Sequence, residues 1–176
     1  MKHLLRENSD WLEWEQMGEK VILLAEDNPT HADLFGRALK ACGVPCHTDV
    51  VRDGVEVLDY LFGTGEYAGR EPRPMPDLIL LDLKMPRMDG LQVLKVLRRV
   101  RGDDRLRFPP VVVLTSSDLD QDIAEAYRWG AQSYIRKPVV YQEFAVAVQE
   151  TVHYWLGLNR PLPRQRVMSY AGHEGP

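Results

Sequence analysis

Short, wholly apolar runs recur along this chain, and each is followed by a stretch whose apolar residues return every three or four positions. The strongest runs are residues 21–25, 78–81 and 111–114. A continuous apolar run of this length is typical of a strand that is buried on both faces of a sheet. The stretches between the runs have the periodicity of amphipathic helices. This alternation predicts an α/β domain built on a parallel sheet that helices cover on both faces.

Two weaker strands, at residues 47–51 and 133–136, bring the number of predicted strand–helix units to five. The boundaries of the units carry the expected residues. Asn28-Pro29 suits the start of the first helix, Asp53-Gly54 opens the second, and Asp89 is placed to cap the third. The sequence therefore predicts one domain with a core of useful size.

Composition and charge exclude several classes of protein. The chain is 44% hydrophobic and 27% charged, as in an ordinary globular domain, and its formal net charge of -4 gives no support for direct DNA binding. No apolar run approaches the roughly 20 residues of a membrane helix, and the first 20 residues lack the apolar stretch of a signal peptide. We therefore expect a cytoplasmic protein. Cys42 and Cys46 fit no metal or redox motif, so they are interpreted as small buried thiols near a helix end, with a regulatory disulfide as the alternative.

Polar residues suited to phosphate chemistry follow four of the predicted strands. Glu26-Asp27 follows the first strand, Asp82 the third, Thr115 the fourth and Lys137 the fifth. In a parallel sheet, ligands bind outside the carboxyl ends of the strands, where the strand order reverses. We therefore expect these side chains to converge on one crevice.

The residue types in this set belong together chemically. Carboxylates that are held close repel one another, and a divalent cation such as Mg²⁺, which prefers oxygen ligands, relieves that repulsion. A lysine adds a fixed positive charge and a threonine adds a hydroxyl donor, so the set forms a cradle for a phosphoryl group on a carboxylate. Taken singly, each residue has an ordinary explanation, such as a solvated turn or a helix cap. Their placement at successive strand ends points to chemistry.

The motifs at these strand ends resemble those of the receiver domains of two-component response regulators, over residues 21–156. They are Leu24-Ala25-Glu26-Asp27-Asn28, Leu80-Leu81-Asp82-Leu83-Lys84-Met85-Pro86 with Met88-Asp89-Gly90, Leu114-Thr115-Ser116 and Ile135-Arg136-Lys137-Pro138. The resemblance implies a flavodoxin-like receiver fold with a five-stranded sheet of order 2-1-3-4-5. It also implies that a histidine kinase supplies the phosphoryl group, and that the chain catalyses only its own phosphorylation and dephosphorylation.

The resemblance assigns the acidic residues. Asp82 matches the phospho-acceptor of the family. Glu26, Asp27 and Asp82, together with the backbone carbonyl of Lys84, match the ligands of Mg²⁺. The first acid of the pair is Glu here, where Asp is commoner in the family, and this departure leaves a metal ligand in place.

The resemblance also assigns the residues that respond to phosphorylation. Lys137 matches the lysine that pairs with the phosphoryl group. Thr115 and Tyr134 match the hydroxyl and the aromatic residue of the conformational switch. The peptide bond between Lys137 and Pro138 is expected to be cis, which would turn Lys137 into the crevice.

A finer resemblance is to the small regulators that partner bacterial phytochromes. It rests on Gly65-Glu66-Tyr67-Ala68, the proline-containing insert after it, and Trp155-Leu156 followed by Leu162-Pro163. It implies a bacterial phytochrome as the kinase and a homodimer formed through the last helix. That helix carries more apolar residues than one face needs, and the expected interface is Tyr154, Trp155 and Leu156. The alternative is a tail that covers Trp155 within one monomer.

The predicted organisation is an N-terminal arm at 1–19, a receiver domain at 20–156 and a C-terminal tail at 157–176. The arm either docks as a helix or is absent, if the true start is Met17. The tail is too short for an output domain, and we interpret it as solvated, with contact to an acidic partner as the alternative.

Two other functions compete with the receiver. A Mg²⁺-dependent aspartyl-phosphate phosphatase would carry a second Asp two positions after the nucleophile, where this chain has Lys84. A pseudo-receiver would only bind partners, and the presence of Asp82, Thr115 and Lys137 argues against it.

Overall fold

A parallel sheet runs through the computed structural model, which describes residues 20–68, 75–100 and 108–160. Its strands are β1 (Lys20–Ala25), β2 (Cys46–Val51), β3 (Leu78–Leu81), β4 (Val111–Thr115) and β5 (Ser133–Arg136). They lie in the order β2-β1-β3-β4-β5, and every neighbouring pair is parallel. The predicted α/β class and strand order are confirmed.

Helices alternate with the strands along the chain. They are α1 (Pro29–Lys40), α2 (Gly54–Phe62), α3 (Gly90–Val100), α4 (Asp120–Arg128) and α5 (Tyr141–Val152). A single 3₁₀ turn, Gly65–Tyr67, follows α2, and a π-helical segment, His153–Leu158, continues α5. Among the described helices, none combines the length and the apolar character that a membrane crossing needs.

The predicted caps form where helices leave the site end of the sheet. The Asn28 side chain accepts from the backbone N–H of Thr30 at 2.9 Å, which satisfies one of the free donors at the start of α1. Asp89 and Gln92 exchange side-chain to backbone hydrogen bonds of 2.7 and 2.9 Å at the start of α3, as in a capping box. These local bonds fix the entry of each helix.

The sheet separates two hydrophobic cores, and its strands contribute alternate residues to each. Ile79 and Leu81 of β3 face the core under α2, α3 and α4, whereas Leu78 and Leu80 face the core under α1 and α5. All four residues of β3 are at most 1% exposed. Burial on both faces explains why this strand is a continuous apolar run in the sequence.

The end of the last helix differs from the prediction. Leu156 is only 6% exposed and belongs to the core under α1 and α5, and Trp155 packs against that core. The helix continues through the π-helical segment, so Leu156, four residues after the buried Val152, stays on the inward face. The expectation that Leu156 lies in an exposed interface was therefore wrong, whereas Tyr154 is 51% exposed.

Cys42 and Cys46 are both of intermediate exposure. The Cys42 thiol donates to the backbone carbonyl of Gln149 in α5 at 3.6 Å, and burial raises the pKa of this thiol. Both side chains are therefore less buried than the sequence analysis predicted. The arm at 1–19, including the alternative start at Met17, and the tail from residue 161 lie outside the described residues.

Gly90 lies where the loop after β3 returns to the strand. A Cβ atom at this position would lie 2.3 Å from the backbone oxygen of Asp82 and 2.9 Å from the Cα of Leu83. Both are backbone atoms, so no side-chain rotation can relieve the clash. The glycine therefore allows α3 to start directly against the end of β3.

We predict that Gly90→Ala lowers the free energy of unfolding by about 1–3 kcal/mol, because the added methyl group overpacks a backbone contact. Gly36→Ala is the matched control, since nothing lies within 4 Å of a Cβ built in the middle of α1. That control should stabilise the protein by up to about 1 kcal/mol. Urea unfolding curves measure both changes, and equal stability of the two variants would contradict the close contact at Gly90.

Candidate functional site

The carboxyl ends of β1 and β3 bring three acidic residues together. Ala25 and Leu81 are register partners in the sheet, so the residues that follow them are neighbours. Carboxylate oxygens of Glu26, Asp27 and Asp82 lie within 4.8 Å of one another. Glu26 and Asp82 are only 4% and 6% exposed, while Asp27 is exposed. The predicted convergence of the acids is found.

Lys137 lies between the two buried carboxylates. Its Nζ donates to Glu26 Oε2 at 2.6 Å and also contacts Asp82 Oδ2, and its side chain is 8% exposed. Neighbouring strands set this position, because the backbone N–H of Lys137 donates to the carbonyl of Thr115 at 2.7 Å. The ammonium group offsets two buried negative charges, and without it both carboxylates would be left uncompensated.

Different groups hold the two oxygens of Asp82. The hydroxyl of the fully buried Thr115 donates to Oδ1 at 2.8 Å, and the backbone N–H of Lys84 donates to the same oxygen at 3.1 Å. Oδ2 faces the Lys137 ammonium. The carboxylate is therefore held in one orientation by neutral donors on one oxygen and by a cation on the other.

The peptide bond between Lys137 and Pro138 is trans, because no peptide bond within the described ranges is cis. The expectation of a cis bond was wrong. An X–Pro bond retains a trans preference of about 0.5–1 kcal/mol, so cis needs a specific structural reason. None is required here, since the trans chain, held by its bond to Thr115, already lets Lys137 reach both carboxylates.

Tyr134 lies on β5, close to the loop that follows β4. Its hydroxyl donates to the backbone carbonyl of Ser117 at 3.0 Å. Burial raises the pKa of this tyrosine, the Ser117 hydrogen bond lowers it, and the negative charges of Asp122, Asp118 and Asp82 raise it further. The side chain is thus a neutral hydrogen-bond donor that is sensitive to charge at the acidic site.

The sequence analysis missed His31, on the first turn of α1. Its Nδ1 lies 3.2 Å from Glu26 Oε1, the oxygen of Glu26 that does not face Lys137. The backbone N–H of Asn28 donates to the same oxygen at 3.3 Å. The only signal in the sequence was the position of His31 shortly after the acidic pair, since helical geometry brings that turn back over the end of β1.

The donor set at the crevice suits a hard divalent cation. Three carboxylates supply oxygen ligands, the donors that Mg²⁺ and Mn²⁺ prefer, and one of them, Asp27, is exposed at the mouth. One ammonium leaves the cluster of Glu26, Asp27, Asp82 and Lys137 with a formal charge of -2, counted as three carboxylates less one cation. A divalent ion would neutralise that excess.

Comparison with known families gives one match that covers most of the chain. Residues 22–149 match the model of the response regulator receiver domain. This range begins within β1 and contains β2 to β5 and all of the site residues described above.

The chain also resembles individual proteins over nearly their full length. It is 42% identical over 140 residues to the probable methanogenesis regulatory protein FilR2 of Methanothrix harundinacea, covering 80% of this chain and 86% of that one. The phosphorylated cyanobacterial phytochrome response regulator RcpA has a TM-score of 0.71 at 36% identity, covering 81% and 98% of the two chains. The Mn²⁺-bound form of the response regulator Rcp1 has a TM-score of 0.70 at 34% identity, covering 82% and 99%.

Proposed function

The chain belongs to the response regulator receiver domain family, and we propose that it accepts a phosphoryl group from a histidine kinase on Asp82. The observation that carries this proposal is the asymmetric support of the Asp82 carboxylate. A hydroxyl and an amide hold one oxygen, and the Lys137 ammonium faces the other. Such an arrangement keeps the nucleophile oriented and next to a positive charge.

The proposed transfer needs few protein groups. A carboxylate oxygen of Asp82 bonds to phosphorus as the bond from phosphorus to the donor imidazole breaks, and the electron pair leaves with the imidazole. Lys137 and the Thr115 hydroxyl then face oxygens of the new phosphoryl group. The ligands of Mg²⁺ would be Glu26, Asp27, Asp82 and the Lys84 carbonyl. When bound, the ion would supply positive charge that offsets the negative charge of the phosphoryl group.

We predict that acetyl phosphate with Mg²⁺ labels the wild-type chain once and leaves Asp82→Asn unlabelled, because the amide is a poor nucleophile. Asp33→Asn is the matched control, since Asp33 forms an exposed ion pair with Arg37 at 2.9 Å on α1. EDTA should abolish labelling. Intact-mass measurement gives the stoichiometry, and undiminished labelling of Asp82→Asn would refute the assignment.

The same assay separates the competing functions. Sustained release of phosphate from an ester substrate would identify a phosphatase, and absence of any label on the wild type would identify a pseudo-receiver. Lys84 at the second position after Asp82 favours the receiver over the phosphatase.

We propose a bacterial phytochrome as the cognate kinase, on the finer sequence resemblance and on the likeness to RcpA. In the labelling assay, a phosphorylated phytochrome kinase should transfer to this chain faster than an unrelated histidine kinase does. Equal transfer rates from the two donors would argue against this partner.

We propose that Thr115 and Tyr134 form a switch. Thr115 Oγ1 now donates to Asp82 Oδ1, and Tyr134 donates to a carbonyl two residues beyond Thr115. A phosphoryl group on Asp82 offers stronger acceptors, so the hydroxyl should move towards it. The space it leaves would allow Tyr134 to rotate inward, which would alter the surface of α4, β5 and α5.

We predict that beryllofluoride with Mg²⁺ shifts the NMR signal of the Tyr134 ring and the amides of α4 and β5. Thr115→Val should reduce the shift of Tyr134 while beryllofluoride still binds at Asp82. Tyr60 is the internal reference, because this tyrosine of α2 donates to Asp49 Oδ2 of β2 at 2.7 Å, and neither element belongs to the α4–β5–α5 surface. Unmoved signals on the α4–β5–α5 surface in the beryllofluoride-bound wild type would contradict the coupling.

We propose that the chain forms a homodimer through α5 and the segment that follows it. Tyr154 and Val146 are each 51% exposed, and Leu158 is 64% exposed, so the end of the helix presents apolar area to solvent. Trp155 lies edge-on to the Tyr154 ring at 5.2 Å and would support it from within the monomer. Closed two-fold pairing is the commonest way for such a surface to be covered.

We predict that the full chain sediments as a dimer at micromolar concentration and that Val146→Ser with Tyr154→Ser weakens the dimer at least tenfold. Val50→Ser is the control, because Val50 is 47% exposed on the edge strand β2 and belongs neither to α5 nor to the segment that follows it. A full chain that stays monomeric at high micromolar concentration, with and without beryllofluoride, would refute the dimer.

A further inference from the structure

The loop from Asp82 to α3 is hydrogen-bonded to the site at its start, and its end is hydrogen-bonded back to its start. At its start, the backbone N–H of Lys84 donates to Asp82 Oδ1 at 3.1 Å. At its end, the backbone N–H of Gly90 donates to the carbonyl of Leu83 at 3.1 Å. The orientation of the Asp82 carboxylate therefore depends on the conformation of this loop.

Arg87, in the middle of the loop, reaches away from the crevice towards α2. Its guanidinium donates through Nε and Nη2 to Asp53 Oδ2, and Nη2 also lies 3.2 Å from Glu56 Oε1. Arg87 has a φ of 58°, the left-handed region that non-glycine residues rarely adopt. A conformation of this kind persists only where the surrounding contacts impose it.

The Asp53 carboxylate, which accepts from Arg87, is buried and also accepts hydrogen bonds from the start of α2. Asp53 is 2% exposed, and its Oδ1 caps α2 by accepting from the backbone N–H groups of Val55 and Glu56 at 2.8 and 3.0 Å. Its other oxygen takes the Arg87 guanidinium. A further hydrogen bond joins the start of α2 to the loop that carries Arg87, since the Gly54 N–H donates to the Met88 carbonyl at 3.0 Å.

Buried carboxylates in the described part of the chain are thus neutralised in two ways. Glu26 and Asp82 share Lys137, and Asp53 takes Arg87. The loop that starts at Asp82 connects the two ion clusters. Loss of Arg87 would leave a charge buried at the start of α2 and release the middle of the loop.

We propose that Arg87 is a positioning residue for the divalent cation site: its ion pair with Asp53 holds the loop in the conformation in which Lys84 supports the Asp82 carboxylate. The inference rests on the proposed function of Asp82 as the acceptor. Its action is indirect, through the loop backbone, so it should alter metal affinity and the environment of the Lys84 amide without contacting either the ion or the phosphoryl group.

The test is direct binding of Mn²⁺, followed by the electron paramagnetic resonance signal of the free ion. Arg87→Ala should weaken Mn²⁺ binding by about tenfold, the lower end of effects seen when a group that orients a metal ligand is removed. Arg87→Lys should recover part of the affinity, since it restores the charge but not the two-pronged contact. Arg37→Ala, which removes an exposed ion pair on α1, should stay within about twofold of the wild type.

Two further measurements distinguish an effect of Arg87→Ala on protein stability from an effect on the position of the loop. The Lys84 amide signal should shift in Arg87→Ala and not in Arg37→Ala. The double variant Asp53→Asn with Arg87→Ala removes the unpaired buried charge, so it should regain thermal stability while keeping the weakened Mn²⁺ binding.

A folded Arg87→Ala protein that binds Mn²⁺ as the wild type does would overturn the inference. A double variant that regains both stability and affinity would overturn it as well, because it would show that only the buried charge matters. If the wild type binds Mn²⁺ and Asp82 is never phosphorylated, the proposed function fails, and the comparison of Mn²⁺ affinities still decides the role of Arg87.

Discussion

The interaction on which the site depends is the single ammonium group of Lys137 between Glu26 and Asp82. Two carboxylates that are nearly buried would repel each other and lose their hydration, and the cation offsets both costs. The Lys137 side chain also connects the ends of three strands, because Glu26 follows β1, Asp82 follows β3 and Lys137 follows β5. The same contact thus joins the strands at the carboxyl end of the sheet and places a cation against the carboxylate that we propose as the phospho-acceptor.

The sequence predicted what local pattern determines. A strand buried on both faces must be apolar at every position, so Leu78–Leu81 was visible without any knowledge of its neighbours. The residues that follow such strands are brought together by the geometry of a parallel sheet, and for that reason the convergence of Glu26, Asp82 and Lys137 could be predicted.

Contacts between distant segments could not be predicted in this way. The pair of Arg87 and Asp53 joins residues 34 positions apart through a backbone conformation that no sequence motif marks. The burial of Leu156 depends on how far the last helix continues, and the trans bond before Pro138 depends on packing around Lys137. In each case the local sequence does not determine the conformation, and contacts made elsewhere in the fold do.

The alternation of buried strand residues between the two cores has a consequence for how the protein unfolds. Ile79 and Leu81 belong to one core while Leu78 and Leu80 belong to the other, so each strand residue is covalently joined to neighbours in the opposite layer. Neither layer of helices can detach without exposing one whole face of an otherwise intact sheet. The two cores therefore act as one cooperative unit, and a disturbance on the α2–α3–α4 side is felt on the α1–α5 side through the strands that both sides share.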